Sequence, residues 1–191
     1  MVILFELKDI KMRAWTREYG CVEDYASFFY EHLVYDGKRK IGVGQLLRQI
    51  KRIKTNDFIW DKKCPPDSRI YPVIVLADYR QTASGLKNLL NIWMREEAAK
   101  EHVSLDNVGP VILMDLATLM VYAENFERNG FTIYFNDYYS KSEFKENSIT
   151  GEDALTNATM SFSDYINHQP CYGMKKWSDE FIDCLKKAGI Q

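Results

Sequence analysis

Apolar residues along this chain form short unbroken runs that alternate with longer segments in which they recur every three or four positions. The unbroken runs, at residues 2–8, 71–77 and 110–114, predict strands covered on both faces, and we expect the first of them, residues 2–8, to be an internal strand of the sheet. The periodic segments predict helices, at residues 22–35, 43–54, 83–100 and 116–129. Strands that alternate with helices indicate an α/β protein whose central sheet is flanked by helices on both faces.

The later part of the chain is less regular. Residues 131–140 fit a strand or a helix, residues 141–159 are polar, and helices are predicted near 160–167 and 177–188. The length of 191 residues suits one domain, residues 1–191. Within it we distinguish residues 1–80 from an additional α/β and helical part, residues 81–191.

Composition and charge narrow the classes of function. The net charge of −2 excludes a surface that binds polyanions everywhere, so any nucleic-acid site must be a local patch. The four cysteines are scattered without metal-ligand spacing, and the opening apolar run is too short for a signal peptide. We therefore expect reduced thiols, a cytoplasmic protein, no metal site built on cysteine, and no membrane partner.

The end of the first strand carries the first candidate chemistry. Glu6 and Lys8 are two positions apart, so in a strand both side chains point to the same face. A carboxylate can hold Mg²⁺ on a phosphate, and a lysine can orient or deprotonate the attacking water. The alternative is that the two charges lie at the wet end of the strand and pair only with each other.

A basic segment follows the first predicted helix. Residues 38–54 contain seven Lys or Arg and no acidic residue. Five of them are our candidates for contacting nucleic-acid phosphates: Lys38, Arg39, Lys40, Arg48 and Arg52. The alternative is a solvated helix face, which is the usual role of a run of charges.

Together these residues carry a resemblance to a known family. An apolar strand ending in ExK (VILFELK), a helix opening with Gln (GQLLRQIKRI) and a further apolar strand (YPVIVLA) resemble the second half of the PD-(D/E)XK nuclease core. The resemblance covers roughly residues 1–80. It implies a restriction-endonuclease-like core with a mixed central sheet, Mg²⁺ as cofactor and DNA as partner. Carried over by position, Glu6 is a metal ligand, Lys8 the catalytic lysine and Gln45 a helix glutamine near the metal or phosphate.

The resemblance also implies a missing part. The family's first metal-binding Asp lies on a strand before the ExK strand, and only five residues precede Glu6 here. We therefore expect a core that is truncated at its N-terminus, or degenerate, with little nuclease turnover of its own. A catalytically inactive DNA- or protein-binding module of the same fold is the first alternative function.

The second alternative is an unrelated α/β phosphotransfer or nucleotide-binding domain. Asp78 and Asp115 each follow an apolar strand, and ligands of open α/β sheets bind beyond the carboxyl ends of strands. Both residues also suit structural roles, Asp115 as a helix N-cap and Asp78 in a turn, and we favour those roles. His32, His102 and His168 show no metal-ligand spacing.

Overall fold

A computed structural model of the chain describes residues 1–12, 18–59, 61, 64–82, 85–142, 159–171 and 187. Its regular elements follow the chain in the order β1 (Val2–Lys8), α1 (Val22–Leu33), β2 (Tyr35–Asp36), β3 (Arg39–Lys40), α2 (Val43–Lys54), β4 (Ile70–Leu76), α3 (Leu86–Lys100), β5 (Ile112–Asp115), α4 (Leu116–Val121), α5 (Ala123–Asn129), α6 (Phe131–Ser142) and α7 (Phe162–Asn167). None of the helices in these ranges has the length and apolar character needed to cross a membrane.

The three long strands form one parallel sheet in the order β1-β4-β5. β1 pairs with β4 along its whole length, from Val2 beside Ile70 to Lys8 beside Leu76. The middle strand, β4, is buried at all seven positions, as its unbroken apolar run predicts. The chain is therefore an α/β protein with a small parallel sheet flanked by helices.

Two expectations about this sheet are wrong for the described residues. All pairings among the three strands are parallel, so the sheet is not mixed. β1 is not internal but lies at the edge of the sheet, where it pairs with β4. One of its faces is also partly uncovered, since Phe5 and Leu7 there are 44% and 61% exposed. An apolar run tells that a strand borders a core, but it does not tell how many neighbours the strand has.

Helices α1, α2 and α3 pack on one face of the sheet. The apolar stripe of α2 is almost completely buried there, and it consists of Val43, Leu46, Leu47, Ile50 and Ile53. The helix has the bounds predicted from its periodicity, 43–54. Five apolar positions on one face of a helix identify clearly which face packs on the core. α2 contacts both β1 and α3.

The other face of the sheet is covered by an aromatic cluster from α5, α6 and α7. Phe126, Phe135 and Phe162 are nearly inaccessible, and their rings contact one another at centroid distances of 5.2–6.4 Å. The ambiguous segment 131–140 is thus part of a helix, because Phe135 and Tyr138 must point to the same side. The predicted helix 116–129 is divided at Tyr122. The predicted helix 177–188 lies outside the described residues, apart from Lys187.

Candidate functional site

Of the three residues that the resemblance singles out, Lys8 contacts both of the others, Glu6 and Gln45. Alternation along β1 places Glu6 and Lys8 on one face, and Lys8 Nζ lies 2.7 Å from Glu6 Oε1. The same ammonium donates a hydrogen bond to Gln45 Oε1 at 2.7 Å. The Glu6 and Lys8 side chains are only 20% and 18% exposed, so water screens this pair less than a surface ion pair.

Gln45 reaches Lys8 because of the turn that begins α2. Its Oε1 also accepts a hydrogen bond from the Gly42 backbone N–H at 3.0 Å, which satisfies one of the free donors at the helix start. Gly42 has φ +46°, and a Cβ there would lie 2.3 Å from the Leu33 carbonyl oxygen. One turn further along, Gln49 keeps its Oε1 buried with no hydrogen-bond partner among the described residues.

A cleft of about 640 Å³ opens beyond the carboxyl end of β1. Its walls come from the end of β1, the end of α1 and the β2–β3 hairpin, and they include Lys8, Asp9, Ile10, Tyr30, Glu31, His32, Tyr35, Asp36, Gly37 and Ile41. Three acidic residues, Asp9, Glu31 and Asp36, and one lysine, Lys8, thus line the same cleft. The cleft lies where open α/β sheets generally bind their ligands.

His32 is a residue of this cleft that sequence reasoning missed. Its Nδ1 lies 2.8 Å from the Phe28 carbonyl oxygen, and its ring stacks on Phe28 at a centroid distance of 4.2 Å. Because a carbonyl oxygen only accepts, Nδ1 is the donor in this contact. No spacing rule signals such a histidine, because its neighbours in the cleft come from distant parts of the chain.

The donor set does not make a complete Mg²⁺ site. Mg²⁺ takes oxygen ligands in octahedral geometry, with one or two carboxylates besides substrate oxygens. Glu6 is the carboxylate of the three-residue centre, and it is engaged by Lys8. Over the described ranges, no group of three His, Cys, Asp or Glu side chains is placed to hold a metal ion. Among the described residues, this centre therefore offers the expected Mg²⁺ one carboxylate, Glu6, which is too few for a complete site.

Some cations of the basic segment are bound to other groups of the chain, and the others have no ionic partner among the described residues. Lys40 pairs with Glu101, Lys51 lies 3.9 Å from the same carboxylate, and Lys54 donates to the Asp106 carbonyl oxygen. Lys40 is thus a weaker candidate than the exposed cations of the segment, because a phosphate would have to compete with Glu101 for its ammonium. The remaining candidates have no ionic partner among the described residues: Lys38, Arg39, Arg48 and Arg52.

The two aspartates at strand ends serve the fold. Asp115 is 4% exposed, accepts from the Thr118 N–H at 2.7 Å as the N-cap of α4, and accepts from Ser163 Oγ at 2.6 Å. Asp78 accepts from the Arg80 backbone and guanidinium. The favoured structural roles are therefore confirmed.

A buried carboxylate on α3 anchors the hairpin that walls the cleft. Glu97 is 2% exposed and accepts hydrogen bonds from Tyr35 Oη at 2.5 Å and Lys100 Nζ at 2.6 Å. The hydrogen bond to Glu97, which favours the neutral phenol, raises the pKa of Tyr35 to about 12. Tyr35 is in turn part of the cleft wall.

Comparisons with the models of known families, with curated proteins and with solved structures found no match. The resemblance to PD-(D/E)XK nucleases therefore remains a hypothesis. The observation that supports it is the contact of Lys8 with both Glu6 and Gln45. Lys8 and Gln45 are 37 positions apart in the sequence.

Proposed function

We propose that this chain is a nuclease-like domain that binds the phosphodiester backbone of DNA at the Glu6–Lys8–Gln45 centre. The single observation that carries the proposal is the position of the Lys8 ammonium, which contacts both Glu6 and Gln45 at 2.7 Å. Lys8 is also one of the residues that line the cleft. An ammonium has three donors, and two of them are accounted for by these contacts. The third is available to a phosphate oxygen.

Each of the three residues has a separate role in this proposal. Lys8 contacts the phosphate, because a charge-assisted hydrogen bond to a phosphate oxygen is short and strong. Glu6 and Gln45 are positioning residues that fix the lysine and restrict its rotamers. The Gly42–Gln45 hydrogen bond in turn holds the amide, so the centre is organised before DNA arrives.

Hydrolysis is a separate claim from binding. In the nucleases that this chain resembles, a divalent cation activates the reaction, and the centre here offers one carboxylate. We therefore propose Mg²⁺-dependent phosphodiester hydrolysis only at a low rate. Losing one preorganised electrostatic group commonly costs about 10²–10³-fold in turnover.

A second candidate function follows from the charge of the cleft. Asp9, Glu31 and Asp36 outnumber Lys8 on its walls, so the cleft attracts cations more readily than anions. A protein-binding module of the same fold would place a basic side chain of its partner there. We rank this second, because it leaves the contact of Lys8 with Gln45 without a role in recognition.

One pair of titrations separates the two candidates. A fluorescent 20-base-pair duplex and a fluorescent oligolysine peptide are each titrated with the chain at several salt concentrations, in EDTA and in Mg²⁺. Our proposal predicts duplex binding that weakens steeply with salt and is stronger in Mg²⁺ than in EDTA. Binding of the peptide alone would establish the second candidate and refute the first.

The available cations of α2 give a further prediction. The double substitution Arg48→Gln and Arg52→Gln should weaken duplex binding about threefold to tenfold and reduce the slope of log Kd against log salt by about 2. The matched control is Lys51→Gln on the same helix, whose charge is shared with Glu101 and whose loss should change affinity less than twofold. Equal effects of the two changes would show that α2 is merely a solvated face.

A further inference from the structure

A second cavity lies on the side of the molecule formed by α3 and α6, and the proposed function does not use it. Its volume is about 630 Å³, within the range of small-molecule sites. Three of its wall residues are cations, Arg69, Lys87 and Arg95, and none of its described wall residues is Asp or Glu. In a chain with net charge −2, this is a local excess of positive charge.

Lys87 is the unusual member of this group. The residue is 6% exposed, and among the described residues its ammonium reaches the Ser142 carbonyl oxygen, at 3.5 Å, and the face of the Tyr138 ring, 5.0 Å from the centroid. Over the described residues it has no carboxylate partner. A buried ammonium without a counter-ion costs folding free energy, and here burial lowers the pKa of Lys87 to about 8.

The walls of this cavity are held in place by polar contacts of their own. Asn91 accepts from the Val111 backbone N–H at 2.6 Å, and Tyr139 Oη donates to the Pro110 carbonyl oxygen at 2.7 Å. The Arg69 guanidinium lies 5.7 Å from the centroid of the Tyr71 ring, on which Tyr139 stacks. A rigid wall with unpaired cations is the arrangement expected of an anion site.

We propose that this cavity binds a phosphate-bearing small molecule, with the Lys87 ammonium as the buried contact and the Arg69 and Arg95 guanidinium groups at its mouth. A multiply charged phosphate supplies the counter-ion that the described part of the chain does not give Lys87. Guanidinium groups match two phosphate oxygens at once, which favours phosphate over a monovalent anion. The site is separate from the Glu6–Lys8–Gln45 centre, so this proposal does not depend on the proposed function.

The test is calorimetric titration with inorganic pyrophosphate at pH 7 and constant ionic strength. We expect measurable binding to the natural chain, at least tenfold weaker binding to Lys87→Met, and a severalfold loss in Arg95→Gln. Arg128→Gln, which removes one charge from a residue outside the cavity, should bind within twofold of the natural chain. Citrate, a carboxylate anion of similar charge, should bind at least tenfold more weakly than pyrophosphate.

Thermal unfolding of the same proteins provides the second readout. A lysine that is buried only for structure would leave Lys87→Met less stable, whereas an uncompensated ammonium predicts an unchanged or higher Tm in its absence. Absence of pyrophosphate binding, equal binding by Lys87→Met, or equal binding of citrate would overturn the proposal. Should Lys87→Met fail to fold, the exposed Arg95→Gln still decides it, because undiminished binding there would also contradict the site.

Discussion

Replacing Glu97 by alanine is expected to lower the free energy of unfolding by about 1.5–3 kcal/mol, the usual worth of hydrogen bonds to a charged group. The carboxylate is 2% exposed and accepts from Tyr35 and Lys100, so its removal leaves the Tyr35 hydroxyl without its partner. Urea unfolding followed by circular dichroism measures the change. The matched control is Glu96→Ala, an exposed glutamate on the same helix, which should change stability by less than about 0.5 kcal/mol.

The same network predicts a dependence on pH. The pKa of Tyr35 is raised in the folded chain to about 12 from an ordinary value of 10.0. A folded-state pKa above the unfolded value means that this stabilisation is complete below pH 10 and is lost as the pH rises from about 10 to about 12. Glu97→Ala should remove this loss, so the natural chain and the variant should approach each other in stability above pH 10. A stability difference that stays constant up to pH 11.5 would contradict the assignment.

The consequence for the site is that stability and recognition are linked through the hairpin. Tyr35 and Asp36 belong both to β2 and to the cleft wall, and Glu97 holds Tyr35 from the side of α3. A Glu97→Ala chain that remains folded should therefore bind DNA more weakly, because the wall beside Lys8 is no longer fixed.

The elements with a strong pattern could be predicted from the sequence, and their arrangement could not. The bounds of β1 and α2 follow from an apolar run and a five-residue stripe, and the alternation of β1 is sufficient to bring Glu6 beside Lys8. The order and direction of the strands depend on tertiary packing, to which an apolar run such as that of β1 contributes no directional information. The internal position of β1, expected from its apolar run, is wrong for this reason, whereas the expected mixed sheet came from the family resemblance and is wrong for the described strands.

The candidate site shows the same division. Gln45 was identified by resemblance alone, and only the turn at Gly42 explains how it reaches Lys8. The neutralisation of Lys40 could not be predicted, because Glu101 is 61 positions away and no local pattern links the two. The position of His32 in the cleft wall could not be predicted, because three separate segments of the chain form the cleft.

The Lys8→Met variant is expected to bind duplex DNA about tenfold to a hundredfold more weakly than the natural chain, the value of one hydrogen bond between charged groups. The change removes the ammonium and also leaves the Glu6 carboxylate uncompensated beside the phosphate. Fluorescence anisotropy in EDTA measures the effect without any contribution from metal. Lys11→Met, an exposed lysine three positions further along the chain, is the matched control and should change affinity less than threefold.

A second variant distinguishes the loss of a DNA contact from a loss of structure. Glu6→Gln keeps the shape and the hydrogen bond to Lys8 but removes the negative charge, so in EDTA it should bind DNA at least as tightly as the natural chain. The same substitution should abolish any Mg²⁺-dependent nicking of plasmid DNA, since Glu6 is the expected metal ligand. Weaker binding by Glu6→Gln in EDTA would indicate that the pair only supports the fold.

The location of bound DNA is the most direct test of the Glu6–Lys8–Gln45 centre. Backbone amide spectra are recorded by NMR while a short duplex is added to the isotope-labelled chain in Mg²⁺. We predict that the largest shifts cluster at Glu6–Asp9, at Gln45 and at the hairpin residues 36–39, and that Lys8→Met reduces them together. Shifts that are absent, or that are confined to the walls of the Lys87 cavity, would contradict the proposed centre.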